Sequence, residues 1–227
     1  MKPVAAPRLL PAPAPLADPE LVDGTEWAGV DVTGEVEGEG DLRADFVEMS
    51  RARLTGLRLT GWRIDHLRMV DVLIEDCELS AVTLPAAHLT RVEFRRCRLS
   101  GLSAPNLKAR HVRFTDCRAD GTSFRMSSWD VAELSSVDLR DADFHASTLA
   151  GVRLLGCDLT GADVSKASMA GAALHGSTVE GLKGADCLRG VVIGSEQVVS
   201  LTVPLLVAMG IVVDDDYLSG AVKDHPT

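Results

Sequence analysis

The sequence predicts an all-β solenoid, a rod of short stacked strands joined by tight corners, and three observations predict it. Every fifth residue from Ala44 to Val179 is apolar, 28 positions in succession. The residue before each is polar or charged at 26 of the 28, Leu73 and Ala173 being the exceptions; the one before that is apolar at 24, with Thr122, Ser127, Ser147 and Ser177 as small exceptions. Aromatic residues make up 4% of a chain that is 46% hydrophobic, so the core must be aliphatic and small.

Each unit therefore reads in, out, in, followed by two residues that are often Gly, Ser, Thr or Asp, which is strand alternation and then a corner. A helix repeats near 3.6 and does not fit a period of five. At 46% hydrophobic residues, an unbroken apolar run at this period arises on the order of once in a billion independent draws. A three-residue strand cannot bury its own inward pair, so units must stack, each coil bonded through its backbone to the next at about 4.8 Å.

The stretches "RLSGL" at 98–102, "VDLRDADFHAS" at 137–147 and "CDLTGADVSKASMAG" at 157–171 resemble pentapeptide repeat proteins, in the loop-free bacterial form related to the fluoroquinolone-resistance, gyrase-binding members. The resemblance covers residues 42–183. It implies a right-handed quadrilateral parallel β-helix of about seven 20-residue coils, roughly 34 Å long, with short C-terminal capping helices. Cys77, Cys97, Cys117 and Cys157 fall on the same 20-residue interval, with Val137 filling the missing rung, so they form one inward column. Parallel side chains do not converge on a tetrahedral metal, and a disulfide needs closer Cβ atoms than in-register strands provide. These thiols are expected to be buried and inert.

Outside the repeats, residues 1–21 are expected to be a disordered Pro/Ala-rich extension. Residues 22–41 should form an irregular acidic cap or first coil in which Val22, Trp27 and Val32 keep the inward phase and Glu37 breaks it. Residues 184–213 should cap the other end with one or two short helices. Ser195 is a candidate N-cap, Pro204 suits the first position of a second helix, and Gly210 would end it. Val198, Leu201, Leu205, Leu206 and Met209 make an apolar surface for capping or for a homodimer, which the resemblance implies through C-terminal helices. Residues 214–227 should be an acidic flexible tail.

The net charge of −10 is unevenly spread. Residues 1–41 hold nine acids and two bases, and residues 91–125 hold nine bases against Glu93, Asp116 and Asp120. A basic zone is expected at Arg91, Arg95, Arg96, Arg98, Lys108, Arg110, Arg113 and Arg118. Asp138 and Asp158 should stack on one face and Asp143 and Asp163 on the next, forming an acidic ladder.

No nucleotide-binding loop, nucleophile elbow or His-Glu-x-x-His occurs, and the six histidines fall on different rungs or in the tail, so no catalytic, cofactor or metal site is expected. No apolar run reaches membrane-spanning length and prolines interrupt any leader, which points to a cytoplasmic protein. The expected function is non-enzymatic protein binding. The resemblance implies a DNA-mimicking modulator or protector of bacterial DNA gyrase linked to antibiotic resistance, with the four aspartates standing in for phosphates. A scaffold for another protein partner is the alternative, and direct nucleic-acid binding is not expected.

Overall fold

The computed structural model describes residues 2–16, 19–36 and 42–212. Coils of 20 residues stack in register as parallel strands: Arg68–Glu75 pairs with His88–Arg95, which pairs with Lys108–Thr115. The same offset runs from Arg43↔Arg63 to Asp163↔Lys183. The four units of each coil give four faces. Face I carries Ala44 and its equivalents at 20-residue steps, face II Met49, face III Leu54 and face IV Leu59. Of the 28 central residues 27 are buried, Leu84 being partly so, and of the residues two before them only Leu42 is exposed.

The corners follow from one backbone state. All 28 residues at five-residue steps from Phe46 to Gly181 have positive φ, and 18 of them are not glycine. A left-handed residue turns the chain sharply between two short strands, at a cost of roughly 1–2 kcal/mol for an L side chain. The next coil holds the turn, because the corner N–H donates across the stack, as Asp76 does to Arg95 O (3.0 Å) and Gly101 to Asp120 O (2.9 Å).

Inside the rod, side chains stack in columns. Phe94 lies flat on Phe114 with centroids 4.4 Å apart, while Phe124, Trp129 and Phe144 pack across faces I and II. The small polar exceptions to the apolar pattern are all satisfied. Ser127 Oγ accepts from Trp129 Nε1 (2.6 Å) and donates to Ser147 Oγ, which donates to Phe124 O. Thr122 and Ser177 donate to Ala119 O and Leu154 O.

The four cysteines form the expected inward column, all buried and free. Each thiol donates to a backbone carbonyl 23 residues earlier, from Cys77 to Leu54 O at 3.6 Å to Cys157 to Leu134 O at 3.4 Å. Burial pushes the Cys157 thiol up to about 11, so it stays protonated and unreactive at neutral pH.

Both ends differ from the sequence expectation. Residues 2–16, expected to be disordered, lie along the rod as a strap that ends in β1 (Ala14–Leu16), paired in parallel with Val30–Val32 of β3 (Val30–Glu35). The prolines that argue against a strand interior are compatible with an edge strand, and β1 is the outermost strand of its sheet. In the first coil the register offset is 22 rather than 20, as at Glu26↔Glu48 in β2 (Glu26–Ala28). Trp27 and Val32 point inward as expected, opposite Met49 and Leu54, whereas Val22 is 50% exposed and Leu21 is buried beside it. Glu37 lies outside the described residues, as does the tail from 214 to 227.

At the other end the offset drops to 19 at Ala173↔Val192. A 3-10 turn over Ser195–Gln197 runs directly into one helix, α1 (Val198–Ala208), so Gly194 rather than Ser195 is the cap and Pro204 sits inside the helix instead of opening a second one. Gly210, at φ 71°, ends it as expected. Gln197 continues the cysteine column as a plug. Its amide donates to Leu174 O and Ser177 O and its oxygen accepts from Gly194 N, so the open carbonyls of the last coil are satisfied from above.

Candidate protein-binding surface

The side chain between each inward pair points outward, so the rod's surface is a set of columns with a new residue about every 4.8 Å. Bridges between Asp138 and Asp158 on face IV and between Asp143 and Asp163 on face I put the four aspartates on neighbouring rungs, flanking the corner between the two faces. The structure brings the ladder together as the register requires, but its charge is not uniform. Asp138 is clasped by Arg140 through Nε (2.8 Å) and Nη2 (2.6 Å), which holds its carboxyl below the usual carboxylate range. Asp143 is paired with Arg125 at 2.7 Å. Asp158 accepts from the Thr160 amide and hydroxyl, with Arg140 only at 3.9 Å. Asp163 accepts from the Ser165 amide at 2.8 Å; burial raises its pKa, but the Ser165 bonds and the charges of His145 and Lys183 outweigh this and leave it lowered. The free negative charge therefore concentrates in the upper half, at Asp158 and Asp163. Arg125 and Arg140 are the residues that sequence reasoning missed here; Arg140 follows Asp138 by two residues in the same coil, and Arg125 precedes Asp143 by eighteen, in the coil before it.

The expected basic zone is largely neutralised within the rod. Arg91 pairs with Asp71, Arg95 with Glu75 and Glu93, Arg96 with Asp76, Arg113 with Glu93 and Glu133, and Arg118 with Asp120. Arg98 and Arg110 reach Glu78 (3.8 Å) and Asp130 (3.2 Å) from exposed positions. Glu93 and Asp120 belong to residues 91–125, but Asp71, Glu75, Asp76, Glu78, Asp130 and Glu133 come from outside that stretch, which a count along it does not include. Positive charge is felt instead on face II, where Arg68, His88 and Lys108 are in register; the His88 pKa is lowered by burial first, then by Lys108 and Arg68.

Helix α1 packs Leu201 onto the end of the rod, with Leu205 and Leu206 half-buried. Val198 and Met209 are exposed, and so is a stripe one turn apart made of Val199, Val203 and Val207, at 83%, 65% and 69% exposure. The open apolar surface at this end is thus centred on residues that the sequence reading did not select. Among the described residues, no three His, Cys, Asp or Glu side chains are grouped to hold a metal, and no helix is long and apolar enough to cross a membrane.

Residues 87–164 match a family model described as a pentapeptide repeat region. No curated protein matches the chain. Among solved structures, full-length QnrB1, described as a plasmid-mediated fluoroquinolone resistance protein, is 16% identical with a TM-score of 0.34, covering 85% of this chain and 99% of that one. A trypsin-treated QnrB1 is 19% identical with a TM-score of 0.38, over 87% of this chain and 98% of that one. HetL, a pentapeptide repeat protein involved in heterocyst differentiation regulation in the cyanobacterium Nostoc sp. strain PCC 7120, is 14% identical with a TM-score of 0.27, over 70% and 89% of the two chains.

Proposed function

We propose that this chain, which a pentapeptide repeat family model matches over residues 87–164, is a non-enzymatic binding rod that engages a protein partner through the acidic faces of its last coils. The reading adopts a bacterial type II topoisomerase as that partner, with Asp158 and Asp163 offered to its DNA-binding surface in place of phosphates. The observation that carries it is the stacking of like charges on adjacent rungs of two adjacent faces, with two of the four aspartates lacking a close arginine. Parallel carboxylates at this spacing repel one another, a cost that a cationic partner would relieve. A homodimer through the Val199, Val203 and Val207 stripe of α1 would double the ladder's length, and the exposure of that stripe supports it.

The test is a DNA gyrase supercoiling assay with and without a fluoroquinolone, comparing the wild type with Asp158→Asn/Asp163→Asn. The asparagines keep the turn-forming acceptor oxygens and remove only charge. Inhibition or protection that the double variant loses is the expected result; no effect of the wild type at micromolar protein overturns the topoisomerase reading. The alternative, a scaffold for a different protein, is favoured by the internal pairing of Asp138 and Asp143, which leaves less free charge than a duplex presents. Pull-down with Asp143→Lys/Asp163→Lys against Arg95→Glu/Arg96→Glu separates the acidic from the paired half of the rod, and indifference to both refutes surface-charge docking.

A further inference from the structure

The strap formed by residues 2–16 lies along the corner between faces II and III, whose column at 20-residue steps is Arg51, Asp71, Arg91 and His111, with Gly29 as its first-coil equivalent. Three backbone amides of the strap meet that column. Ala5 N donates to His111 Nδ1 (3.2 Å), Arg8 N to Asp71 Oδ1 (2.9 Å) and Ala14 N to Gly29 O (3.2 Å). Asp71 is 6% exposed and is clasped from the other side by Arg91 through Nε (2.6 Å) and Nη2 (2.7 Å), so its carboxylate is a fixed, built acceptor rather than a passing surface group. Val4 is 8% exposed, and the space above Gly29 is taken by Leu10, whose Cδ1 lies 2.8 Å from where a Cβ would stand.

The spacing explains the fit. Ala5 and Arg8 are three residues apart, which in a polyproline II chain spans about 9.3 Å. Their acceptors, His111 and Asp71, are two coils apart, about 9.6 Å. Over Ala5–Arg8 an extended chain and the solenoid are therefore in step, whereas the six residues from Arg8 to Ala14 cover the two coils from Asp71 to Gly29. The bonded amides belong to non-proline residues, while Pro3, Pro7, Pro11, Pro13 and Pro15 fall at positions where no N–H is used. Recognition runs through the backbone donors of Ala5, Arg8 and Ala14 and leaves proline free to stiffen the segments between them.

We infer that this corner is a docking groove for an extended, proline-containing peptide segment, and that the chain's own residues 2–16 occupy it in cis and thereby mask it. Tethering gives the strap an effective concentration of order millimolar, so it excludes a free segment of equal intrinsic affinity until it is displaced. The groove lies diagonally across the rod from the corner flanked by Asp158 and Asp163, so it is independent of the topoisomerase reading and its failure would not touch that reading.

The test uses the full chain. In Ala5→Pro/Arg8→Pro both bonded amides are deleted, the extended conformation is kept, and no residue of the rod is changed. Two quantities are measured: 15N order parameters at Val4, Ala6 and Leu10, and binding of a fluorescent synthetic peptide with the wild-type sequence of residues 2–16. In the wild type the strap is expected to be rigid and the peptide not to bind; in the variant the order parameters should fall below about 0.6 and the peptide should bind at least about tenfold more tightly than to the wild type. A strap as rigid in the variant as in the wild type overturns the proposed anchoring. A released strap with no peptide binding, or equal binding to both proteins, overturns the groove.

Discussion

Val131 sits at a left-handed corner with φ 56°, one coil below Gly151 in the same column, where φ is 71°. A β-branched side chain is the least suited to that region, and the strain for an L residue there is about 1–2 kcal/mol. Gly151 offers the reverse case, because a Cβ built on it meets nothing within 4 Å and any penalty there is conformational rather than steric. Replacing Val131 with Asn, which enters the left-handed region readily, should recover about 1 kcal/mol without the loss of about 0.5–1 kcal/mol that a glycine's freer unfolded chain would bring. Val131→Gly should therefore gain less than Val131→Asn, and Gly151→Val should cost about 1 kcal/mol. Thermal melts followed by circular dichroism measure this, since each 1 kcal/mol moves Tm by roughly 2–4 °C in a chain of this size. If Val131→Asn is neutral or destabilising and Gly151→Val is tolerated, the corners are not strained and the account of how the rod turns is wrong.

Gln197→Leu removes the donor to two carbonyls and the acceptor for the Gly194 amide; at about 1–3 kcal/mol for each buried group left unpaired, the end of the rod should lose several kcal/mol. Because a solenoid's units contact only their neighbours, hydrogen exchange should rise near 174–208 and stay unchanged in the coils around Cys97; a uniform rise would refute the plug. Ser127→Ala strands the buried Trp129 N–H and should cost about 1–3 kcal/mol by the same reasoning, read by denaturation followed through tryptophan fluorescence. Arg91 first, helped by the Arg8 amide, holds the Asp71 carboxyl below its ordinary value, so this contribution is present above the usual carboxylate range and is lost as pH falls through the lowered value. Strap protection should be flat from neutral pH down to about pH 4 and fall below it, by at most about tenfold per pH unit for one proton. Val203→Glu should convert any dimer seen by light scattering to a monomer, whereas a wild type that is monomeric at high concentration removes α1 as an interface.

The repeating part of the molecule was legible because each unit solves the same local problem. An inward pair, an outward residue and a left-handed corner recur every five residues, and neighbours in space are always 20 residues apart, so pattern along the chain is pattern in the fold. Cys77, Cys97, Cys117 and Cys157 are one column for that reason, and so are the rungs of Asp138 with Asp158 and Asp143 with Asp163. The charge on those rungs was not legible to the same degree, because it depends on where long arginine side chains come to rest: Arg140 turns back to Asp138, and Arg96 crosses to Asp76 in the coil below.

What the sequence by itself determined is the solenoid, its 20-residue coil, its inward columns and which residues face out. Only the tertiary structure decided the ends. Leu21 rather than Val22 is buried at the start of the first coil, and Gln197 closes the last coil through its bonds to Leu174 O and Ser177 O. The Pro/Ala-rich segment found its place along a corner of the rod for a reason no local pattern records: its acceptors, Asp71 and His111, lie 63 and 106 residues from the amides they bind. A period fixes contacts between copies of the same unit, and it carries no information about a segment that is not one of them.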